Sequence, residues 1–497
     1  MFFSVAFLVQ ACTRGTSQPS SASARQLVIG VSEGNLQGGD AGVGYLVNQI
    51  TLEGLTQIGA DGRALPRLAR NWNWEPDERR LRLKLRDDVL LHDGRKLDSG
   101  IAAEALAVAI ARRENRALYP ALRDITAAIP DGPVDLLVDV ANRSSLLPED
   151  LTVLLDMPAG PYRLVTRSET AIELERFERY YLGTPSIPRV ELRPFDTLRT
   201  TWANLLRGEL DFVYDVPPEA IEFIRSDEVR IAAVKRWYQF SIAFNSRQGP
   251  LRSPQVRRAL NLAIDRESLV RDVLRGAGSP SSGPLWPQYW AADSSVRPYA
   301  FDPGQSATLL DAAGFPLRPS TDDAPAARFR FTCLIPENFT LLERIALHVQ
   351  KDLFNVGVDL RFKVVPLPEF GQLMGSGDFD AAFLDMVSGP TPGRAYVFWA
   401  SAQRFQGVYN IFGYENAESE RLFEILRTTR NEAAVRSATR RLQRVMLEDP
   451  PALFLAWNER ARAIRTEFTF PDQPGVDPVF SLWNWKRRSD TLSASAP

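Results

Sequence analysis

Cysteine and histidine are almost missing from this chain: two of each in 497 residues. Cys12 and Cys333 cannot staple a disulfide-dense scaffold, and a pairing between them is not expected. With His92 and His348 they leave no ligand set for a protein-built zinc or iron–sulfur centre, and no cofactor is expected. No run reaches the ~18 apolar residues of a membrane-spanning helix. An excess of one charge is also lacking. Lys and Arg total 59 against 61 Asp and Glu, a net charge of −2. Nothing there would hold a phosphate backbone, so nucleic acid is not an expected partner. Lysine is scarce, six against 53 arginines, a bias that reads as genome composition. What remains is an ordinary globular composition, 44% hydrophobic and 24% charged, long enough for two large lobes or about three domains.

The first residues carry a compartment signal. Residues 2–9 (FFSVAFLV) are apolar but too short to span a bilayer, and Gln10-Ala11-Cys12 follows. A short apolar segment closed by a small residue reads as a secretory signal. A cysteine directly after the small residue resembles a bacterial lipobox, which would make Cys12 a lipid-attachment site and new N-terminus. The alternative is a plain cleaved signal with an incidental cysteine. Gln10, two before the cysteine, is unusual for a lipobox, and no basic residue precedes the apolar run. Residues 16–24 (TSQPSSASA) read as a flexible tether.

The rest alternates between strand and helix patterns. Residues 27–32 read as a buried strand, and 81–86 (LRLKLR) as a half-buried one before the Asp93-Gly94 turn. A helix is expected over 102–113, and strands over 172–177 and 189–195. Ser253-Pro254 starts a helix, Asp265 caps a second, and Gly276 ends it. From 328 the order is strand, helix, strand, helix, strand (328–335, a helix opened by a Thr340/Glu343 capping box and closed at Gly357, 358–365, 368–374, 379–385). That order implies parallel pairing, with ligands bound beyond the strands' carboxyl ends. Helices over 417–429 and 431–448 and a strand at 452–457 follow. Cys333 is expected buried on a strand face with Phe329 and Phe331.

Catalytic signatures are absent from the linear sequence. There is no G-x-S-x-G elbow and no P-loop, and Gly38–Gly44 fails the dinucleotide spacing and reads as a flexible loop. His92 and His348 lack neighbouring metal ligands and read as structural or exposed. Asp87-Asp88 and Asp322-Asp323 read as solvated turn charge.

Four segments in order carry a family resemblance. The first is Leu52-Glu53-Gly54-Leu55, then Leu65-Pro66-Arg67-Leu68-Ala69 and Trp72, continuing to Leu85-Arg86-Asp87-Asp88-Val89 and His92-Asp93-Gly94. The second is Gly160-Pro161-Tyr162 with Leu174 to Phe177 and Tyr180-Tyr181. The third is Phe244-Asn245 with Arg257-Arg258-Ala259-Leu260 and Ala263-Ile264-Asp265-Arg266. The fourth is Phe379-Asp380 with Gly413-Tyr414-Glu415-Asn416. Together they resemble the extracytoplasmic solute-binding proteins of peptide/nickel-type ABC transporters, solute-binding family 5.

The resemblance implies an α/β, bilobed periplasmic-binding-protein fold of type II-like architecture, with an extra subdomain inserted in the first lobe. It assigns 1–25 to signal and tether, 26–48 with 162–250 and 466–490 to lobe I, 49–161 to the insert, 251–465 to lobe II and 491–497 to a flexible tail. It implies a monomeric, non-enzymatic receptor outside the cytoplasm, anchored to the membrane through lipid. The receptor would capture a peptide or peptide-like solute and hand it to a permease and ATPase complex. An envelope sensor or chaperone of the same fold, or a secreted hydrolase, are the alternatives. Ligand-contacting candidates are Glu33 and Asn35 after the first strand, and Tyr238 and Asn245 flanking the crossover. Trp286, Tyr289 and Trp290 lie in the Pro/Gly-rich loop, and Asp385, Trp399 and Tyr409 follow in lobe II. Relatives that bind peptides carry an aspartate for the peptide amine where this chain has Gly389, so unless Asp385 or Glu33 substitutes, the alternatives to an ordinary short peptide are a modified peptide, an opine-like compound or another polar solute.

Overall fold

Alternating apolar residues set the first sheet. The computed structural model describes residues 26–32, 42–142, 144–319, 326–401, 409–471 and 477–488. Strand Gln26–Ser32 buries Leu27, Ile29 and Val31 on one face and Val28 on the other. It pairs in parallel with Arg189–Phe195 and with Phe212–Val216. A strand covered on both faces reads as a continuous apolar run, as LVIGV does. Antiparallel strands Ile172–Arg176 and Tyr162–Arg167 extend that edge.

Two long strands run out of this lobe into the second. Val229–Phe244 and Ala452–Arg465 lie antiparallel, and all the other strands of the 11-stranded sheet flank them. Their register shifts twice near the middle, between Lys235 and Gln239 and again between Phe240 and Ser241. Lys235 pairs with Glu459, and pairing resumes at Gln239 with Trp457, leaving Arg236, Trp237 and Tyr238 out of this ladder, though Tyr238 pairs with Val387 on its other side. Ladder bonds resist bending, so the ribbon is weakest there.

Beyond the break, Ala381–Val387, Phe329–Pro336 and Val358–Val365 complete the sheet, the last two parallel throughout. Helices Thr340–Asn355 and Leu367–Ser376 make the crossovers, as the strand–helix alternation predicts. The capping box does not form. Phe339 is the N-cap, without a side-chain hydrogen bond, and Thr340 is already helical. Ser253 does cap Pro254–Leu262, accepting from the Val256 amide. Asp265 caps a single turn, Arg266–Ser268, which continues as a π-helix, Leu269–Val273. The strand expected at 452–457 extends to Arg465. Of the glycine-rich stretch, Gly42 to Gly44 open a helix, Gly42–Thr51, and are not loop; 38–41 lie outside the described residues.

The inserted subdomain has its own core. Its antiparallel sheet runs Ala69–Trp74, Arg80–Leu85, Asp135–Val140, Ile125–Asp131. Helix Ser99–Ala111, capped by Asp98, covers one face. One apolar cluster links Leu55 to Ala159. Cys333 is fully buried on its strand beside Phe331.

Candidate functional site

The inserted subdomain and the second lobe meet across a junction built from turns and helix ends. Asp61-Gly62 forms a tight turn, with Gly62 at φ +79°. A Cβ on Gly62 would stand 2.6 Å from the Pro390 carbonyl oxygen and 2.8 Å from the Tyr289 ring, so only glycine fits. The Trp290 amide donates to the Asp61 carbonyl (2.9 Å). Arg63 lies 4.0 Å over the Trp290 ring and forks onto Glu432 (2.7 and 3.3 Å). Arg436 approaches Trp290 from within the second lobe and donates to its carbonyl.

Two further contacts flank this one. Ser145 donates from its amide and hydroxyl to the Arg427 and Leu426 carbonyls, which helix Ala417–Thr428 leaves without intrahelical partners. Arg427 bridges Asp124 (3.3 Å) and Glu424 (3.4 Å). Arg430 pairs with Glu78 and faces the Trp74 ring.

Inside these contacts lie groups with little solvent. Arg394, near the start of helix Pro392–Trp399, faces the Tyr119 ring at 5.0 Å. Its charge also interacts with Asp150 and Tyr238. Burial lowers its pKa, and Tyr119 and Asp150 oppose that shift. Asp150 accepts from the Ala121 amide (2.7 Å), yet burial still raises its carboxyl to about 7. Burial raises neighbouring Glu149 to about 8, and its Oε2 has no hydrogen-bond partner among the described residues. Tyr289 faces Glu149, and its hydroxyl is likewise pushed upward by burial.

The expected ligand residues divide between this junction and lobe packing. Tyr238 is buried at the ribbon's break, with Arg236 4.0 Å over its ring. Tyr289 and Trp290 form the second lobe's side of the Gly62 contact. Tyr409 sits 5.8 Å from the Arg123 guanidinium, across the junction. Trp286 packs edge-on to Trp457 (4.9 Å). Asp385 pairs opposite Phe240 in the sheet. Trp399 and Asn245 instead serve the second lobe's interior. Trp399 is stacked on Phe412 (5.3 Å) and edge-on to Phe454, because aromatic area is more valuable in the core. Asn245 spends its amide on the Gly377 and Phe379 carbonyls, pinning that loop. Glu33, Asn35 and Cys12 lie outside the described residues.

Gly389 explains its own identity. A Cβ there would lie 3.1 Å from Trp286 Cβ, so an aspartate at this position would press on the tryptophan, which would have to yield by a few tenths of an ångström. Arg394, Glu149, Asp150 and Tyr119 escape sequence reading. The signal available was Glu149-Asp150 inside an otherwise apolar run, residues 146–155.

Neither histidine forms a catalytic relay. His92 bonds the Gly160 carbonyl (2.9 Å). His348 Nε2 meets Ser268 Oγ (3.3 Å), the Asp265 carbonyl (3.3 Å) and Asp352 (3.4 Å). A Ser-His-Asp relay needs serine and aspartate on opposite ring nitrogens, and here both share one. Among the described residues, no cluster of three or more His, Cys, Asp or Glu could hold a metal ion, and no helix is long and apolar enough to cross a membrane.

Known proteins place this geometry. NikA from Brucella suis, in complex with Fe(III)-EDTA, superposes with a TM-score of 0.79 at 19% identity, covering 93% of this chain and 100% of NikA. The oligopeptide-binding protein AppA from Bacillus subtilis, in complex with a nonapeptide, gives 0.72 at 19%, covering 93% and 98%. These likenesses establish the bilobed fold. The glutathione-binding protein GsiB of Pectobacterium atrosepticum is 26% identical over 310 residues, 60% of this chain and 58% of GsiB, so the match spans little more than half the relative's length. Residues 63–406 match the family described as bacterial extracellular solute-binding proteins, family 5 middle. With more than half of its residues inside that match, the chain belongs to the bacterial extracellular solute-binding proteins of family 5.

Proposed function

We propose that this chain is the solute-capturing receptor of an ABC importer. It closes two lobes on a peptide or peptide-like guest and presents it, chemically unchanged, to a permease and ATPase complex. The observation that carries the reading is the crossing ribbon whose register shifts around Tyr238, set beside a junction of buried charge and aromatic rings. That pairing suits hinge closure around a polar guest. Family membership supports the same role, and relatives named for glutathione, nickel–histidine and peptide complexes indicate small polar guests.

The division into lobe I (26–48, 162–250, 466–490), insert (49–161) and lobe II (251–465) is part of this reading, supported by the separate apolar cluster from Leu55 to Ala159. Ligand contact falls to Tyr238, Tyr289, Trp290, Tyr409 and Asp385, with Arg394 added. The working form is a monomer outside the cytoplasm, tethered through a lipid on Cys12. Fatty-acid labelling that persists in Cys12→Ser would refute the tether.

The main test is mass spectrometry of the solute that co-purifies, followed by thermal shift against peptides, glutathione and metal–histidine complexes. A guest at a hundredfold excess over Kd stabilises by about 2.7 kcal/mol. X-ray scattering should show compaction with it. No stabilising solute in a broad panel, or a guest recovered cleaved, overturns the proposal.

A further inference from the structure

We propose that the guest carries an oxyanion, a carboxylate or phosphate, and that Arg394 is its counter-charge. This inference rests on the receptor reading and narrows its ligand class.

The argument begins with how the fold treats its other buried arginines. Arg257 donates to the Pro450, Leu251 and Arg252 carbonyls and pairs with Asp449. Arg266 donates to the Phe454 and Asn261 carbonyls and to Asn261 Oδ1. Arg462 holds Asp477 through two nitrogens. In each case the guanidinium is answered from within the chain, as it must be, because arginine cannot shed its proton.

Arg394 is treated differently. Its Nη1 is sealed from solvent and has no hydrogen-bond partner; the guanidinium bonds the uncharged Tyr119 hydroxyl, and the side chain makes no ion pair among the described residues. The neighbouring acids do not supply the missing charge. Asp150 Oδ2 is already committed to the Ala121 amide. Burial biases both Asp150 and Glu149 toward their neutral forms, in which they are also hydrogen-bond donors. Three other arginines at the junction have carboxylates of their own: Arg63 has Glu432, Arg427 has Asp124 and Glu424, and Arg430 has Glu78. Gly389, packed against Trp286, supplies no acidic side chain on that wall.

The location matches the role. Arg394 stands on the second lobe, faces Tyr119 and Asp150 of the insert, and interacts with Tyr238 at the ribbon's break. A group bound to it would touch all three moving parts. A planar guanidinium takes a carboxylate or phosphate through paired, charge-assisted bonds.

The experiment uses matched pairs on the full mature protein: trialanine beside its C-terminal amide, glutathione beside its diethyl ester, and glycerol phosphate beside glycerol. Thermal shift and calorimetry read the binding. The anionic member of a pair should bind and its neutral twin should not, and the pair that responds tells carboxylate from phosphate. Arg394→Gln should weaken the acid by about 10- to 100-fold, while Arg394→Lys recovers part of the loss. Equal binding of acid and neutral twin overturns the anion inference and leaves the receptor reading intact. An acid preference that survives Arg394→Gln overturns the assignment to this residue. Failure of every pair overturns the receptor reading, and this inference falls with it.

Discussion

Replacing Glu149 by glutamine tests the electrostatics of the junction directly. The side chains are near-isosteres, so the change removes a titrating proton and little volume. In the folded protein burial raises this carboxyl from 4.5 to about 8, with Asp150 adding to the shift and Arg63 opposing it. The folded state therefore binds more protons than the unfolded chain between those two values, and stability falls as pH rises through that window. The penalty is absent below about pH 4.5 and complete above about 8. One pKa unit corresponds to 1.36 kcal/mol, which caps the cost at roughly 5 kcal/mol. Local opening that admits water reduces it to about 2 kcal/mol. Glu149→Gln should match the natural chain near pH 4.5 and melt several degrees higher at pH 9, on the scale of about 2–4 °C per kcal/mol for a unit of 150–250 residues. Parallel melts across pH 4.5–9 read the difference. A gap that stays constant with pH, or widens toward acid, would refute the reasoning.

Three other outcomes are expected. Gly62→Ala should weaken guest binding at least tenfold by jamming the turn against Pro390, whereas Gly132→Ala, at a similar φ of +72° but with nothing within 4 Å, should cost about 1 kcal/mol of stability and leave affinity unchanged. Trp399→Ala should lower unfolding free energy by about 3–5 kcal/mol in urea titration, from the cavity left between Phe412 and Phe454. Arg257→Ala should cost about 3–5 kcal/mol by leaving Asp449 and three carbonyls without their common donor, and a loss below 1 kcal/mol would show that water replaces it.

Elements whose apolar period matches their geometry were legible before folding. The strands near 81–86, 328–335 and 358–365 follow from alternation alone, and the parallel order of the last two from the helix between them. The ribbon strand Ala452–Arg465 reads short because Arg460 and Arg462 interrupt its pattern. Those charges are absorbed by Asp215 and Asp477, partners that local sequence cannot reveal. The same blindness hid half of the candidate site. Tyr238, Tyr289 and Trp290 stand out as aromatics in loops or at a crossover. Arg394 and Glu149 look like ordinary solvated charge until residues hundreds of positions away cover them. Trp399 is ambiguous for the opposite reason, since a tryptophan after a strand end fits a cleft wall and a core equally well, and here it packs on Phe412.

The antiparallel ribbon has a mechanical consequence. Two strands bonded side by side form a leaf spring, stiff against shear and torsion and most compliant where their register shifts, between Lys235 and Ser241. In the proposed receptor this region is the axis about which the lobes would swing. A bulkier guest is accommodated by a wider angle, with the greatest gain in space at the rim farthest from Tyr238. Groups near the fulcrum meet every guest at nearly constant separation, while those at the rim are left to adapt.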